Sequence, residues 1–382
     1  MSRAVWLSLW PVLMAGCAAA DRREFSYPNL PVIKLANGIA EILASSHRLD
    51  SPAFSADGNR LVVQLEIYRD PVLPYEVCSI WLFDRDDSGV WRESGPVSEG
   101  VYKKLAGEMA LPVQPSFDET GRYVILTQIR FFSVLSIPWL STLRSWVERV
   151  PTGVGRASRL LEHADWDMRA TELLQHARVS PDGRWLAFYT REHVRDQGIH
   201  LLDLRTGEHL RLSRGRDKHP TWSADGKRIY FHCAAGGRRR RFDPLAGTVE
   251  RSVLGLVDLR FDDGRLVGWE RRRFDEFGDD YVYHKHPAEV ASAGLLFFHG
   301  QLEPDGDKKL MVRRTDPGSQ VFIVEPRWKG KKLKEIKHVC SALGAANLGF
   351  VAKVQGEKGY RHVFSLTREA LEEVCRAVRP PT

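Results

Sequence analysis

Short apolar runs with period-two character recur along the chain: Arg60-Leu-Val-Val-Gln-Leu65, Arg122-Tyr-Val-Ile-Leu126, Trp185-Leu-Ala-Phe-Tyr189 and Arg228-Ile-Tyr-Phe231. Alternation of this kind predicts strands with one buried face. Each run follows a repeated phrase: Ser51-Pro-Ala-Phe54-Ser-Ala-Asp57-Gly58, Gln114-Pro-Ser-Phe117-Asp-Glu-Thr-Gly121, His176-Ala-Arg-Val179-Ser-Pro-Asp182-Gly183 and His219-Pro-Thr-Trp222-Ser-Ala-Asp225-Gly226. Shorter or looser copies read Asp258-Leu-Arg-Phe261-Asp-Asp263-Gly264 and His299-Gly-Gln-Leu302-Glu-Pro-Asp305-Gly306. The Ser and Asp side chains can bond nearby backbone N–H groups and the Gly supplies a positive φ, so the phrase predicts a tight turn between two strands. Its Asp-Gly pairs are structural, not catalytic acids. In the clearest copies a second strand and turn follow (Ile199 to Gly207), then a short fourth strand (His209 to Leu212).

Strand, turn, strand, turn, strand, strand is one propeller blade, so the fold class is all-β, a single β-propeller. The phrase recurs at positions 51, 114, 176, 219, 258 and 299, and a further step reaches His338-Val-Cys-Ser341 and the strand-like segments Gly349 to Val354 and Tyr360 to Leu366. Seven blades are expected, with six as the alternative. Gly38 to Leu43 is placed to supply the outer strand of the last blade, which would close the ring with both termini and cover exposed edges. Thr367 to Val378 predicts a short C-terminal helix with Ala370, Leu371, Val374 and Val378 on one face. The repeated phrase resembles that of the TolB-like propeller family, P-x-[WF]-S-P-D-G, over residues 51 to 310. The resemblance implies the fold; propellers of this kind serve as interaction platforms, as domains gating peptidases and as pectin-degrading lyases, so it does not choose a function.

The amino terminus bears on location. After Arg3 an apolar run, Ala4 to Met14, leads to Ala15-Gly16-Cys17, the order of a secretory signal, and it is too short to span a bilayer. Leu13-Met14-Ala15-Gly16-Cys17 resembles the lipobox of bacterial lipoproteins, with Met14 in place of the usual leucine. The resemblance implies lipidation at Cys17 and an anchor on the periplasmic side of the bacterial outer membrane. The chain then divides into a signal peptide (1–17), a tether (18–31), the propeller (32–366) and a helix with a tail (367–382). An oxidising compartment would permit disulfides among Cys78, Cys233, Cys340 and Cys375, and their spacing selects none of the three pairings. The net charge of +7 permits contact with anionic partners. The basic runs Arg238 to Arg241, Arg271 to Arg273 and Lys329 to Lys334 lack the interleaved aromatics of a base-stacking surface, which argues against nucleic acid. The apolar segment Phe131 to Leu140 is either a lip for a partner or packed on its own blade.

Candidate chemistry sits on the inner strands, which line a propeller's channel. The residue that opens each repeated phrase is Ser51, Gln114, His176, His219, Asp258 and His299, and the seventh copy adds His338. Histidine is scarce in the chain, 13 of 382 residues, so its concentration at this position is the sharpest functional signal. The set could bind a ligand, and His176, His219, His299 and His338 could hold a divalent metal. Oligogalacturonate lyases are similar in propeller class and use histidine and glutamine ligands for manganese, which would make the cofactor an ion such as Mn and the substrate an acidic polysaccharide. No nucleophile elbow, HExxH helix, P-loop or complete GxGxxG is present. Two functions follow: a monomeric, lipid-anchored envelope scaffold that binds a protein or cell-wall polymer, or a metal-dependent ligand-binding or lyase-like propeller with a His-lined channel.

Overall fold

The computed structural model describes residues 30–45, 48–68, 76–103, 108–133, 141–165, 173–191, 197–234, 252–274, 283–301, 306–316 and 318–379. Cys17, the Arg238 to Arg241 run and most of the Phe131 to Leu140 segment lie outside them. The N-terminal strands are β1 (Val32–Leu35) and β2 (Ile39–Ser45). Blade 1 holds β3 (Arg48–Phe54), β4 (Arg60–Tyr68), β5 (Glu76–Arg85) and β6 (Trp91–Glu99). Blade 2 holds β7 (Val101–Lys103), β8 (Glu108–Phe117), β9 (Tyr123–Ser133), β10 (Ser141–Pro151) and β11 (Ser158–Asp165). Blade 3 is β12 (Leu173–Val179), β13 (Trp185–Arg191), β14 (Gly198–Asp203) and β15 (His209–Arg211). Blade 4 is β16 (Asp217–Trp222), β17 (Arg228–Ala234), β18 (Ser252–Asp262) and β19 (Arg265–Arg273). Blade 5 is β20 (Tyr283–Val290), β21 (Leu295–Gln301), β22 (Lys309–Arg314) and β23 (Phe322–Trp328), and blade 6 is β24 (Lys331–Ser341), β25 (Leu348–Val354) and β26 (Arg361–Leu366).

Both termini close the ring. β2 pairs antiparallel with β26, from Ile39↔Leu366 to Ser45↔Arg361, and so becomes the fourth strand of blade 6, as the position of Gly38 to Leu43 predicts. β1 adds a fifth strand to blade 5 by running parallel to β23. The C-terminal helix α1 (Arg368–Ala377) starts at Thr367, whose hydroxyl accepts from the Ala370 N–H, and buries Ala370, Leu371 and Val374. Those residues join the apolar core shared by blades 5 and 6. Between other blades the anchor of the repeated phrase fills the seam: Trp222 of blade 4, 1% exposed, packs with Trp185, Tyr189 and Leu201 of blade 3 and donates its indole N–H to the Arg178 carbonyl at 3.0 Å.

The turn chemistry is as the phrase predicts. Ser223 Oγ bonds Asp225 at 2.6 Å and accepts from the Arg228 N–H, while Gly226 holds φ 69°. Among the described residues, however, the strands form six blades, the alternative count, and two of the assumed copies are not inner strands. Asp258 lies in β18, the third strand of blade 4, and its Asp263-Gly264 makes the β18–β19 hairpin, with φ 44° and 71°. Positive φ at two successive residues is the geometry that favours Asp-Gly in two-residue hairpins, so a different turn imitated the phrase. His299 lies in β21, the second strand of blade 5. No disulfide forms among the described cysteines, and Cys78, Cys233, Cys340 and Cys375 carry thiols.

Candidate functional site

Every inner strand breaks register at the same place. Pairing skips between Asp50 and Ala53, Val113 and Ser116, Gln175 and Arg178, Lys218 and Thr221, Lys285 and Ala288, and Lys337 and Cys340. The first residue in each gap has a left-handed backbone: Ser51 (φ 42°), Gln114 (56°), His176 (50°), His219 (56°), His286 (52°) and His338 (49°). These are β-bulges, which re-aim one side chain per strand. For residues with a Cβ the conformation costs about 1–2 kcal/mol each, so a sixfold repeat of it in non-glycine residues marks a site where side chains are required. Ser51→Gly is expected to raise stability by about 0.5 kcal/mol, the relieved strain less the entropy glycine adds to the unfolded chain. Ser51→Val should lower it, and urea midpoints of the two variants decide the sign.

Four histidines on bulges are joined by two on second strands. His232 lies across the ladder from Lys218, and His299 lies across from Lys285, so blades 4 and 5 each contribute an inner and an outer imidazole. The ring centroids of His176 and His219 are 3.7 Å apart, those of His219 and His286 4.1 Å, of His219 and His232 4.6 Å, of His286 and His338 4.7 Å and of His286 and His299 5.0 Å. His219 Nδ1 and His286 Nδ1 approach to 3.1 Å at the centre of the group. His338 Nδ1 lies 3.1 Å from the Asp50 carboxylate, and His232 Nδ1 is buried without a hydrogen-bond partner. Gln114 and Ser51 complete the ring as hydrogen-bonding members: Gln114 Oε1 accepts from the His176 backbone N–H at 2.8 Å, and Ser51 Oγ donates to Asp50 at 2.9 Å.

Asp258 is not part of the group. It pairs with Arg228 and Arg272 at 3.4 and 3.3 Å on the blade flank, because the third strand of a blade does not reach the channel. His299 is brought in, by a second strand and not by the inner strand expected for it. Sequence reading missed His286 and His232. The signal for His286 was present: Pro287 follows it as Pro52, Pro115 and Pro220 follow Ser51, Gln114 and His219. What hid it is the turn after β20, where Ala291–Ala293 and Gly294 (φ 61°) replace the Asp-Gly phrase.

Burial holds all six imidazoles below the ordinary histidine range, most strongly His176, His219, His232, His286 and His299, and neighbouring positive charges lower them further, while at His338 the Asp50 carboxylate opposes the shift. They are therefore neutral at pH 7 and offer lone pairs. His219 Nδ1 and His286 Nδ1 share a hydrogen bond, one donating and the other accepting according to tautomer, and the same separation suits adjacent ligands on one ion once that proton is displaced; among the described residues no group of three converges in this way. The donor set fits a late first-row divalent ion better than manganese, which favours oxygen ligands. Cations border the group. Burial and the charges of Lys308 and Arg361 push Lys337 down to about 8.

No family model matches the chain, and no curated protein matches it in sequence. Solved β-propellers do. A Trypanosoma rangeli sialidase in complex with sialic acid is 10% identical with a TM-score of 0.54, over 91% of this chain and 61% of that one. An oligogalacturonate lyase in complex with manganese is 13% identical with a TM-score of 0.50, over 87% and 94%. The Cps50 (Swd1) propeller domain of Myceliophteria thermophila is 13% identical with a TM-score of 0.46, over 86% and 100%. At these identities the likeness is one of fold.

Proposed function

We propose that the protein is a ligand-binding propeller whose channel holds a divalent transition metal between His219 and His286, the ion's remaining positions being open to a ligand. The observation that carries this reading is the 3.1 Å approach of two neutral Nδ1 atoms at the centre of six imidazoles. Such an ion would supply a Lewis-acid centre in a site the protein has already stripped of competing protons. The manganese held by the oligogalacturonate lyase agrees with a propeller of similar architecture carrying an ion. A purely structural scaffold has no use for six desolvated imidazoles or for six strained residues in its interior, so the interaction-platform reading is the weaker one. Assignment to the TolB-like family rests on the repeated phrase alone. Attachment at Cys17 to the envelope belongs to the same proposal and rests on the lipobox, because that residue lies outside the described ones.

The test is titration of the chelator-treated full chain with Zn, Ni, Co and Mn by calorimetry. One equivalent should bind, later ions more tightly than Mn, and His219→Ala with His286→Ala should abolish it. Absence of binding in the wild type, or unchanged binding in the double variant, contradicts the proposal.

A further inference from the structure

Arg178 stands two residues beyond His176 on β12 and is half-buried. Nη1 donates to the Pro115 carbonyl of blade 2 at 2.7 Å, and the charge acts on the Cys340 thiol of blade 6, opposite in the ring of six. Among the described residues no carboxylate lies within ion-pair distance of it. Arg149, Arg184 and Arg271, which are partly exposed, each meet a carboxylate at 2.7 Å, while the fully buried Arg313 is held by the backbone carbonyls of Arg314 and Asp316. A half-buried guanidinium without a counter-charge is costly to the fold. Burial accordingly lowers its pKa to about 10.

Lysine charges act on the histidine cluster beside it. Lys218, Lys285 and Lys337 immediately precede His219, His286 and His338, so they stand at equivalent positions on the N-terminal side of the bulges. Their charges, with that of Lys308, act on the buried imidazoles. At the other end the turns surround a cavity of about 220 Å³ whose lining starts at Val179 and includes Asp118 and Glu119. An anion is thus drawn in from the lysine end.

We propose that Arg178 anchors an oxyanion group, carboxylate or phosphate, of a small ligand that enters past the lysines and lies against the histidine cluster. The planar guanidinium offers paired N–H donors matched to either group. This inference rests on reading the channel as a ligand site, and it does not require the metal.

The experiment uses the chelator-treated full chain at constant ionic strength, with inorganic phosphate and malonate as separate probes in calorimetry. Saturable binding of at least one is expected, weakened tenfold or more by Arg178→Met and less by Arg178→Lys; the tighter probe assigns phosphate or carboxylate chemistry. The unliganded Arg178→Met protein should melt at the same temperature as the wild type or higher, since a charge without a counter-charge is removed. Binding of neither probe, equal affinities in wild type and Arg178→Met, or a lower melting temperature of the unliganded variant would overturn the proposal. Metal titration of the wild type separates the two readings: an intact metal site with no anion binding by the wild type removes this inference and leaves the metal proposal standing.

Discussion

Lowering the pH from 6.5 to 5.5 is expected to destabilise the protein strongly in the absence of metal. The six channel imidazoles have folded-state pKa values below the ordinary 6.5. Below pH 6.5 the unfolded chain therefore takes up protons that the folded chain refuses, and stability falls as pH falls. It is fully present above that value. The slope is about 1.4 kcal/mol per pH unit for each such group. Six groups give an upper limit of roughly 8 kcal/mol per unit, against a typical total of about 5–15 kcal/mol. His284, pushed down to about 3 by burial, adds to the same trend. Urea midpoints at pH 7.5, 6.5 and 5.5 read the slope, and a flat profile would mean that the cluster accepts protons without cost.

The second large effect is stabilisation by the ion. An ion that binds only the folded state at a hundred times its dissociation constant adds about 2.7 kcal/mol. The wild type should gain that at pH 7.5 and progressively less in acid, because protons and metal compete for the same lone pairs. His219→Ala with His286→Ala should gain nothing. The same variant should also show an acid slope reduced by about a third, four imidazoles remaining of six. A double variant that keeps the metal-dependent gain would place the ion elsewhere.

How much was legible in the sequence follows from which forces act locally. The turn phrase is local chemistry: Ser, Asp and Gly specify their own backbone, so the repeat at residues 51, 114, 176 and 219 announced the propeller and four of its inner strands. The closure of the ring by β2 was legible because an apolar strand without a blade of its own stands just before the first phrase. Blade number was less legible, since Asp263-Gly264 serves a hairpin with the same residues that elsewhere serve the inner turn. The site was legible only in part for a related reason. His176, His219 and His338 ride on bulges that precede or resemble the phrase, whereas His286 is followed by a turn of another type. His232 and His299 enter by cross-strand pairing with Lys218 and Lys285, a register that no local pattern records. Arg178 could not be singled out at all, because what distinguishes it is the lack of a carboxylate neighbour in three dimensions.

X-ray absorption at the edge of the ion bound by the reconstituted full chain tests the central claim most directly. The account predicts nitrogen donors at about 2.0–2.2 Å with the outer-shell scattering of at least two imidazoles, lost in the His219→Ala, His286→Ala variant. A shell of oxygen donors without imidazole scattering, or the same spectrum from the double variant, would contradict it.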